Sequence, residues 1–288
     1  MLASIPRRLR FLLPKRFRAQ RPVVPVVRLS GVIGAAFPLR SGLSLSSCAG
    51  SLERAFGMKG IKAVAIAVNS PGGSAVQSHL IFRRIRSLSE EKKVPVFVFA
   101  EDAAASGGYM IACAGDEIFA DPSSLVGSIG VVSAGFGFER LIERLGVERR
   151  VHTAGRNKAM LDPFRPEDPE DVERLKEIQA RVHEVFVELV RARRGTRLRG
   201  EAEQLFSGTV WAAADALALG LIDGIGDLRS VLRERFGPKV KLVILSTGRS
   251  SLLSRWFNRP PAIAGGLLDP AEILAILEDR AAWSRLGL

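Results

Sequence analysis

Two glycine-rich segments each follow an apolar, strand-like run and offer groups suited to catalysis. The first is Asn69-Ser70-Pro71-Gly72-Gly73-Ser74, and the second is Ala104-Ala105-Ser106-Gly107-Gly108-Tyr109. The residues beside Ser106 are too small to cover its hydroxyl. Glycine lets a substrate backbone approach closely and tolerates positive φ, so the N–H groups of both glycine pairs can point into a cleft and stabilise an oxyanion. Together the segments indicate a serine hydrolase, while either one alone is equally typical of a tight strand-to-helix turn.

A serine hydroxyl is a weak nucleophile unless a neighbouring base takes its proton. The chain has three histidines. His79 and His183 fall inside amphipathic helical patterns at 74–88 and 168–194, which favour packing or surface roles. His152 falls in a strand-like run at 147–153. Lysine is the alternative base, as in Ser-Lys hydrolases, whereas arginine stays protonated in proteins and cannot serve.

Lys158 lies within 153–164, a segment of mostly small or apolar residues that follows the run 147–153. Nine of the 42 basic residues are lysine, so a lysine in such a segment stands out. Partial burial there would favour the neutral amine that a base requires. The spacing alone leaves both Lys158 and His152 open as the base.

Four motifs, in this order, resemble the signal peptide peptidase A (protease IV) family of Ser-Lys peptidases in its short, single-repeat form. They are Asn69 through Gly73, Ala105 through Tyr109, Gly127-Ser128-Ile129-Gly130-Val131, and Gly155 through Phe164, and the match spans residues 24–245. The resemblance implies Ser106 as nucleophile, Lys158 as general base and Ser128 as the hydroxyl that orients the lysine. Without the resemblance, Ser128 would be read as a turn residue.

The same resemblance implies an oxyanion hole made by the backbone N–H groups of Gly73 and Gly107, with Gly72 beside the substrate backbone. It implies peptide substrates, among them cleaved signal peptides and other apolar or misfolded segments, and a ring-shaped homo-oligomer whose subunits complete each other's sites. It implies no metal and no cofactor. Three alternatives stay open: a crotonase-type acyl-CoA hydratase or isomerase, a histidine-dependent Clp-like subunit, and a non-catalytic membrane-associated scaffold.

The elements that must position these residues form an alternating pattern, which predicts a mainly parallel α/β domain over residues 23–245. Strands are predicted at 23–29, 63–68, 94–100, 118–120, 131–132 and 240–245, and helices at 46–56, 74–88, 106–114, 138–145, 168–194, 212–219 and 228–236. Short apolar runs between helical stretches are typical of a sheet covered on both faces. Ser106 would then open a helix, where the helix dipole favours an oxyanion. The resemblance adds the crotonase/Clp-protease-like spiral of ββα units.

Composition agrees with a globular enzyme. The chain has 288 residues, 47% of them hydrophobic and 25% charged, which excludes disorder as its general state. Its two cysteines, Cys48 and Cys113, lack metal-ligand spacing, exclude a disulfide scaffold and suit a reducing compartment.

The net charge of +12 is concentrated in a leader, residues 1–22, where arginine and lysine alternate with leucine and phenylalanine. This pattern is typical of contact with an anionic membrane surface and equally of a disordered basic leader, and a nucleic-acid-binding arm is disfavoured. No apolar run reaches the length of a membrane span, which predicts a cytoplasmic protein or one peripheral to the inner membrane. Residues 246–288 are predicted as a linker followed by an amphipathic helix near 270–283.

Overall fold

The computed structural model describes residues 21–34, 42–245, 277 and 280–288. Its strands are β1 (Val23–Ser30), β2 (Val64–Ser70), β3 (Val96–Ala105), β4 (Glu117–Ala120), β5 (Leu125–Gly127), β6 (Val210–Ala212), β7 (Gly224–Ile225) and β8 (Lys241–Leu245). Its α-helices within residues 42–245 are α1 (Leu45–Gly57), α2 (Ala75–Lys92), α3 (Gly107–Ala112), α4 (Glu139–Arg144), α5 (Pro169–Arg194), α6 (Ala202–Leu205), α7 (Ala213–Ala218) and α8 (Leu228–Phe236).

The strands form one sheet in the order β6-β5-β3-β2-β1-β8. Every pairing in it is parallel except that of β5 with β6. The long strand β3 pairs with β4 along residues 97–100 and with β5 along residues 103–105, so the sheet branches there. The mainly parallel sheet confirms the predicted α/β class, and the branch places β5 beside the end of β3 that leads into Ser106.

Both faces of the central strands are buried, because successive side chains alternate between two apolar clusters. One face carries Leu29, Ile66 and Val98 and packs under α1, α2 and α3. The other carries Phe97 and Phe99, which pack with Phe119 and Leu232. The near-continuous apolar strand sequences that predicted a covered sheet are therefore explained by this two-sided burial.

Two predicted strands are wrong. Residues 131–132 and 147–153 are irregular, so His152 does not lie in a strand. Val132 is 69% exposed and Val147 is 54% exposed. Apolar residues alone do not make a strand where no neighbouring strand is within pairing reach, and these segments belong to an arm, residues 131–165, whose side chains are mostly exposed. The real partner of β3 at this end is the short strand β5, which the sequence pattern missed together with β6 and β7.

Two predicted segments fall largely outside the described residues. The basic leader, 1–22, is described only at 21 and 22, and the linker from 246 onward is not described. Of the predicted C-terminal helix, residues 277 and 280–283 are described and are helical. Within the part of the chain that the structure describes, no helix is both long and apolar enough to cross a membrane.

Candidate active site

Ser106 occupies the sharp junction between β3 and α3. Its backbone has φ 51° and ψ −120°, a conformation that non-glycine residues rarely adopt. Its N–H donates to the Gly127 carbonyl at 2.8 Å, and its carbonyl accepts from the Met110 N–H at 3.0 Å. Such strain costs about 1–3 kcal/mol and persists only where the surrounding structure enforces it, which is common at functional sites. The helix begins at Gly107, one residue later than predicted, and Ser106 occupies its N-cap position.

The first glycine motif lies directly against Ser106. A Cβ added to Gly72, whose φ is +112°, would stand 2.8 Å from the Ser106 Cβ. Ile33 donates its N–H to the Gly72 carbonyl and accepts from the Ser74 N–H, each at 2.8 Å, so this bridge does not use the Gly73 N–H. The Gly107 N–H belongs to the first turn of α3 and has no acceptor inside the helix. These two N–H groups have the chemistry that an oxyanion hole requires.

Ser128 reaches the same edge of the sheet from β5. Ala105 and Gly127 are paired across β3 and β5, so Ser106 and Ser128 each follow a member of one pair. Ser128 also has positive φ, at 52°, and its N–H donates to the Thr209 carbonyl at 2.8 Å. The carboxyl ends of β2, β3 and β5 therefore meet where α/β sheets ordinarily bind ligands.

A cavity of about 730 Å³ opens at this edge. It is lined by five of the six predicted site residues, namely Gly72, Gly73, Ser106, Gly107 and Ser128. Apolar side chains supply much of the remaining wall, among them Met110, Val182 and Phe186. None of the described lining residues is Asp or Glu, and the ionisable ones are His183 and Arg285. The cavity thus places the two serines and the glycine motifs beside a largely apolar wall.

Lys158 is the predicted site residue that the structure does not bring to the cavity. It lies in the exposed arm, is itself exposed, and is not among the residues that line the cavity. Its N–H donates to the Gly155 carbonyl at 3.2 Å within a series of turns. The prediction that Lys158 is partly buried is therefore wrong within this chain, because the arm that carries it is mostly exposed.

His183 is a cavity residue that the sequence reasoning missed. It is half-buried, and its Nε2 lies 3.2 Å from the carbonyl oxygen of Ile129, the residue that follows Ser128. The sequence spacing could have indicated this position. His183 lies three residues before Phe186 and seven before Val190, so it falls on the face of α5 that these buried residues share. His79 instead lies on α2, where its ring stacks on Phe82 at 6.3 Å.

Tyr109 packs into the core from α3, three residues after Ser106. It is fully buried, and its hydroxyl donates to the Leu221 carbonyl at 2.8 Å. Burial raises the pKa of this phenol well above its ordinary value. Burial likewise raises the pKa of Cys48 to about 11 and that of Cys113 to about 12, so both thiols stay protonated and poorly reactive.

Comparison with known proteins identifies the relatives of this chain. The sequence model of Peptidase family S49 matches residues 89–236, just over half of the chain, and this range includes Ser106, Ser128 and Lys158. The Na(+)/H(+) antiporter NhaA of Brucella abortus (strain 2308) is 53% identical over 296 residues, which is 99% of this chain and 40% of that protein. The chloroplastic serine protease SPPA of Arabidopsis thaliana is 35% identical over 202 residues, 67% of this chain and 29% of that protein.

The chain thus spans less than half the length of these two relatives. Among solved structures, a mutant of the 1510-N membrane-bound stomatin-specific protease in complex with a substrate peptide is 15% identical. That similarity covers 82% of this chain and 98% of the solved chain, with a TM-score of 0.49. On the strength of the family match and the motif order, the chain belongs to peptidase family S49.

Proposed function

We propose that this chain is a serine endopeptidase that forms an acyl-enzyme on Ser106, with Lys158 as general base. The observation that carries the proposal is the strained Ser106 against Gly72 in a cavity that Gly73 and Gly107 also line. The neutral lysine Nζ takes the Ser106 hydroxyl proton while Oγ bonds to the scissile carbonyl carbon. The Gly73 and Gly107 N–H groups hold the resulting oxyanion.

The second half of the reaction regenerates the enzyme. The lysine ammonium returns the proton to the departing amine as the C–N bond breaks, which leaves an ester on Ser106. Water then gives a proton to the lysine as its oxygen bonds to the ester carbon, and the lysine returns that proton to Ser106 Oγ as the ester C–O bond breaks and the acid leaves. In this scheme Ser128 Oγ orients the amine of Lys158. The absence of a carboxylate among the described lining residues favours this scheme over crotonase chemistry, which needs a carboxylate base there.

We propose that a second copy of this chain supplies Lys158 to each cavity. The lysine is exposed on an arm that also exposes large apolar side chains, including Phe136 at 81% and Leu145 at 67%. Apolar side chains of this size are costly to leave in water and are typical of association surfaces. A homo-oligomer would cover them and carry the lysine to a neighbouring Ser106.

The apolar cavity wall supports peptides with small or apolar side chains near the scissile bond, such as remnants of signal peptides and misfolded segments. The basic leader, residues 1–22, would hold the enzyme on an anionic membrane near such substrates. Flotation with vesicles containing anionic lipid tests this placement. Loss of flotation on deleting residues 1–22, with peptidase activity retained, supports it, and unchanged flotation contradicts it.

A serine-reactive fluorophosphonate tests the chemistry directly. We expect an adduct at Ser106, located by mass spectrometry. Lys158→Ala should slow labelling and peptide hydrolysis by about 10²–10⁴-fold, the usual contribution of a general base. Lys176→Ala is the matched control, since Lys176 is also exposed and, among the described residues, pairs with Glu173 on its own helix. Equal activity in the two variants would refute Lys158 as the base.

Mixing two inactive variants tests the shared site. Ser106→Ala copies retain Lys158, and Lys158→Ala copies retain Ser106. If neighbouring copies share a site, co-assembled oligomers regain activity, because some cavities then combine an intact serine with an intact lysine. If each copy uses its own lysine, no cavity in the mixture is complete and activity stays at the background of the single variants.

A further inference from the structure

The turn that carries Lys158 is held by several backbone hydrogen bonds, although the segment is exposed. Its backbone is folded into successive turns, with Lys158 N–H donating to the Gly155 carbonyl and Asp162 N–H to the Ala159 carbonyl. Arg165 N–H then donates to the Asp162 carbonyl at 3.1 Å. These local hydrogen bonds define the path of the chain around Lys158. Exposed backbone hydrogen bonds with few packing contacts open readily, so side-chain contacts decide how firmly this turn is held.

Asp162 supplies that support from inside the arm. Although the arm is exposed, the Asp162 side chain is only 4% accessible. One carboxylate oxygen accepts the Phe164 N–H at 3.1 Å, and the other accepts the Arg149 Nε–H at 3.1 Å. The Phe164 N–H, helped by Arg149 and opposed by desolvation, holds the pKa of this carboxyl below its ordinary value. Asp162 therefore remains ionised at neutral pH and ties the lysine turn to the irregular segment around Arg149.

An aromatic contact braces the same junction. The Arg149 guanidinium lies 4.7 Å from the centre of the Phe164 ring, a cation–π arrangement. Phe164 in turn packs on Phe138, with ring centres 5.6 Å apart, and the Phe138 N–H donates to the Pro163 carbonyl. Arg149 is thus held by both a carboxylate and an aromatic face, for which its planar guanidinium is suited and an ammonium is not.

Leu161 shows that the turn is held against strain. Its φ is +54°, one of four positive values at non-glycine residues in the described chain, and two of the other three belong to Ser106 and Ser128. The Leu161 N–H donates to the Asp171 carboxylate at 3.2 Å, which fastens the turn to the first turn of α5. A non-glycine residue is kept in this region when the surroundings over-determine it, and such residues cluster at functional sites.

We infer that Asp162, through its contacts with Arg149 and the Phe164 N–H, is a positioning residue for Lys158. It fixes the lysine turn before the amine engages a serine, so that little conformational freedom is lost in the reactive complex. This inference rests on the proposed role of Lys158 as base. Asp162 touches neither substrate nor the reacting atoms, and its effect on the reaction passes through the placement of the lysine.

The test compares Asp162→Asn with Glu148→Gln in the full chain. Asparagine keeps the shape and still accepts the Phe164 N–H, but it loses the charged contact with Arg149. The Glu148 carboxylate pairs with Arg150 in the same arm, where both side chains are more than 70% exposed, so its loss is the matched control. We expect Asp162→Asn to lower kcat for a peptide and the rate of fluorophosphonate labelling by about 10-fold or more, with KM within about twofold. Glu148→Gln should leave all three unchanged.

Arg149→Gln removes the same charged contact by changing Arg149, the more exposed of the two partners. This variant tests the inference even if Asp162→Asn folds poorly. The double variant should be no worse than the more impaired single variant, because both changes break one contact. Circular dichroism and light scattering should show the same fold and assembly mass throughout. Full activity in Arg149→Gln, or a fall in kcat equal to that of Glu148→Gln, would overturn the inference. Full activity in Lys158→Ala would instead overturn the proposed function, and the inference with it.

Discussion

Replacing Gly73 by alanine tests whether its backbone N–H belongs to the catalytic machinery. The substitution keeps the N–H group and adds one methyl group. In the structure that Cβ would stand 2.2 Å from the Ile33 carbonyl oxygen and 2.8 Å from the Ile33 nitrogen. Both are backbone atoms and cannot rotate away, so either Ile33 or Gly73 must move.

The size of the movement follows from the overlap. Contacts of a real Cβ lie at 3.0 Å or more, so the separation from the Ile33 oxygen must grow by at least about 0.8 Å. A displacement of about 1 Å in a catalytic group costs about 100-fold in rate. We therefore expect kcat and the rate of Ser106 labelling to fall by about 100-fold in Gly73→Ala.

Gly31→Ala separates this overlap from backbone strain. Gly31 also has positive φ, at +98°, but an added Cβ there meets nothing within 4 Å. Both variants should lose about 1–3 kcal/mol of stability from the disfavoured φ, measured by chemical denaturation. Only Gly73→Ala should lose most of its activity. If the two variants retain equal activity, the Gly73 N–H does not stabilise the oxyanion and the reasoning from its geometry fails.

Three further predictions follow from contacts near the site. His183→Leu should lower kcat for a peptide by about 10-fold, because it leaves the Ile129 carbonyl beside Ser128 without its side-chain partner. His183→Gln should retain more activity, because the glutamine amide can donate to the same carbonyl. Arg194→Met should cost about 1.5–3 kcal/mol in denaturant titrations, since it removes the buried ion pair with the Asp223 carboxylate and leaves that carboxylate only the more exposed Arg197 as a cationic partner. Burial disfavours ionisation of the Asp223 carboxyl, but the contact with Arg194 outweighs burial and holds the pKa of this carboxyl below its ordinary value. The stabilisation from this pair is therefore present above about pH 4 and is lost as the pH falls through the pKa of the folded state. The Cys113 thiol, with its pKa raised to about 12 by burial, should resist iodoacetamide at pH 8 until the protein unfolds.

The regular elements were predictable because their signals are local. The helical period around Ile81 reflects one buried face, and the continuous apolar run around Ile66 reflects burial on both faces of the sheet. The strands β5, β6 and β7 have only two or three residues each, too few for any period. Their pairing depends on β3 and β4, which supply partners that no local pattern reveals.

The same distinction applies to the site. The glycines and Ser106 could be predicted as candidates because a tight turn depends on the types of consecutive residues. The placement of Lys158 could not, because it depends on where the arm lies and, under the proposed function, on a second copy of the chain. An apolar context around a lysine predicts burial only if the surrounding segment packs, and the segment around Lys158 is exposed.

The strained serines connect the fold to the proposed chemistry. Ser106 and Ser128 both have φ near +50°, and each is fixed by a backbone hydrogen bond of 2.8 Å, one to Gly127 and the other to Thr209. The pairing of β5 with both β3 and β6 supplies these acceptors, so the short strands that the sequence pattern missed are the ones that hold both serines in place. A relaxed serine in either turn would change the direction of its hydroxyl. The scaffold therefore stabilises the site chiefly through strand pairing at its carboxyl edge, and substitutions that weaken β5 should impair Ser106 and Ser128 together.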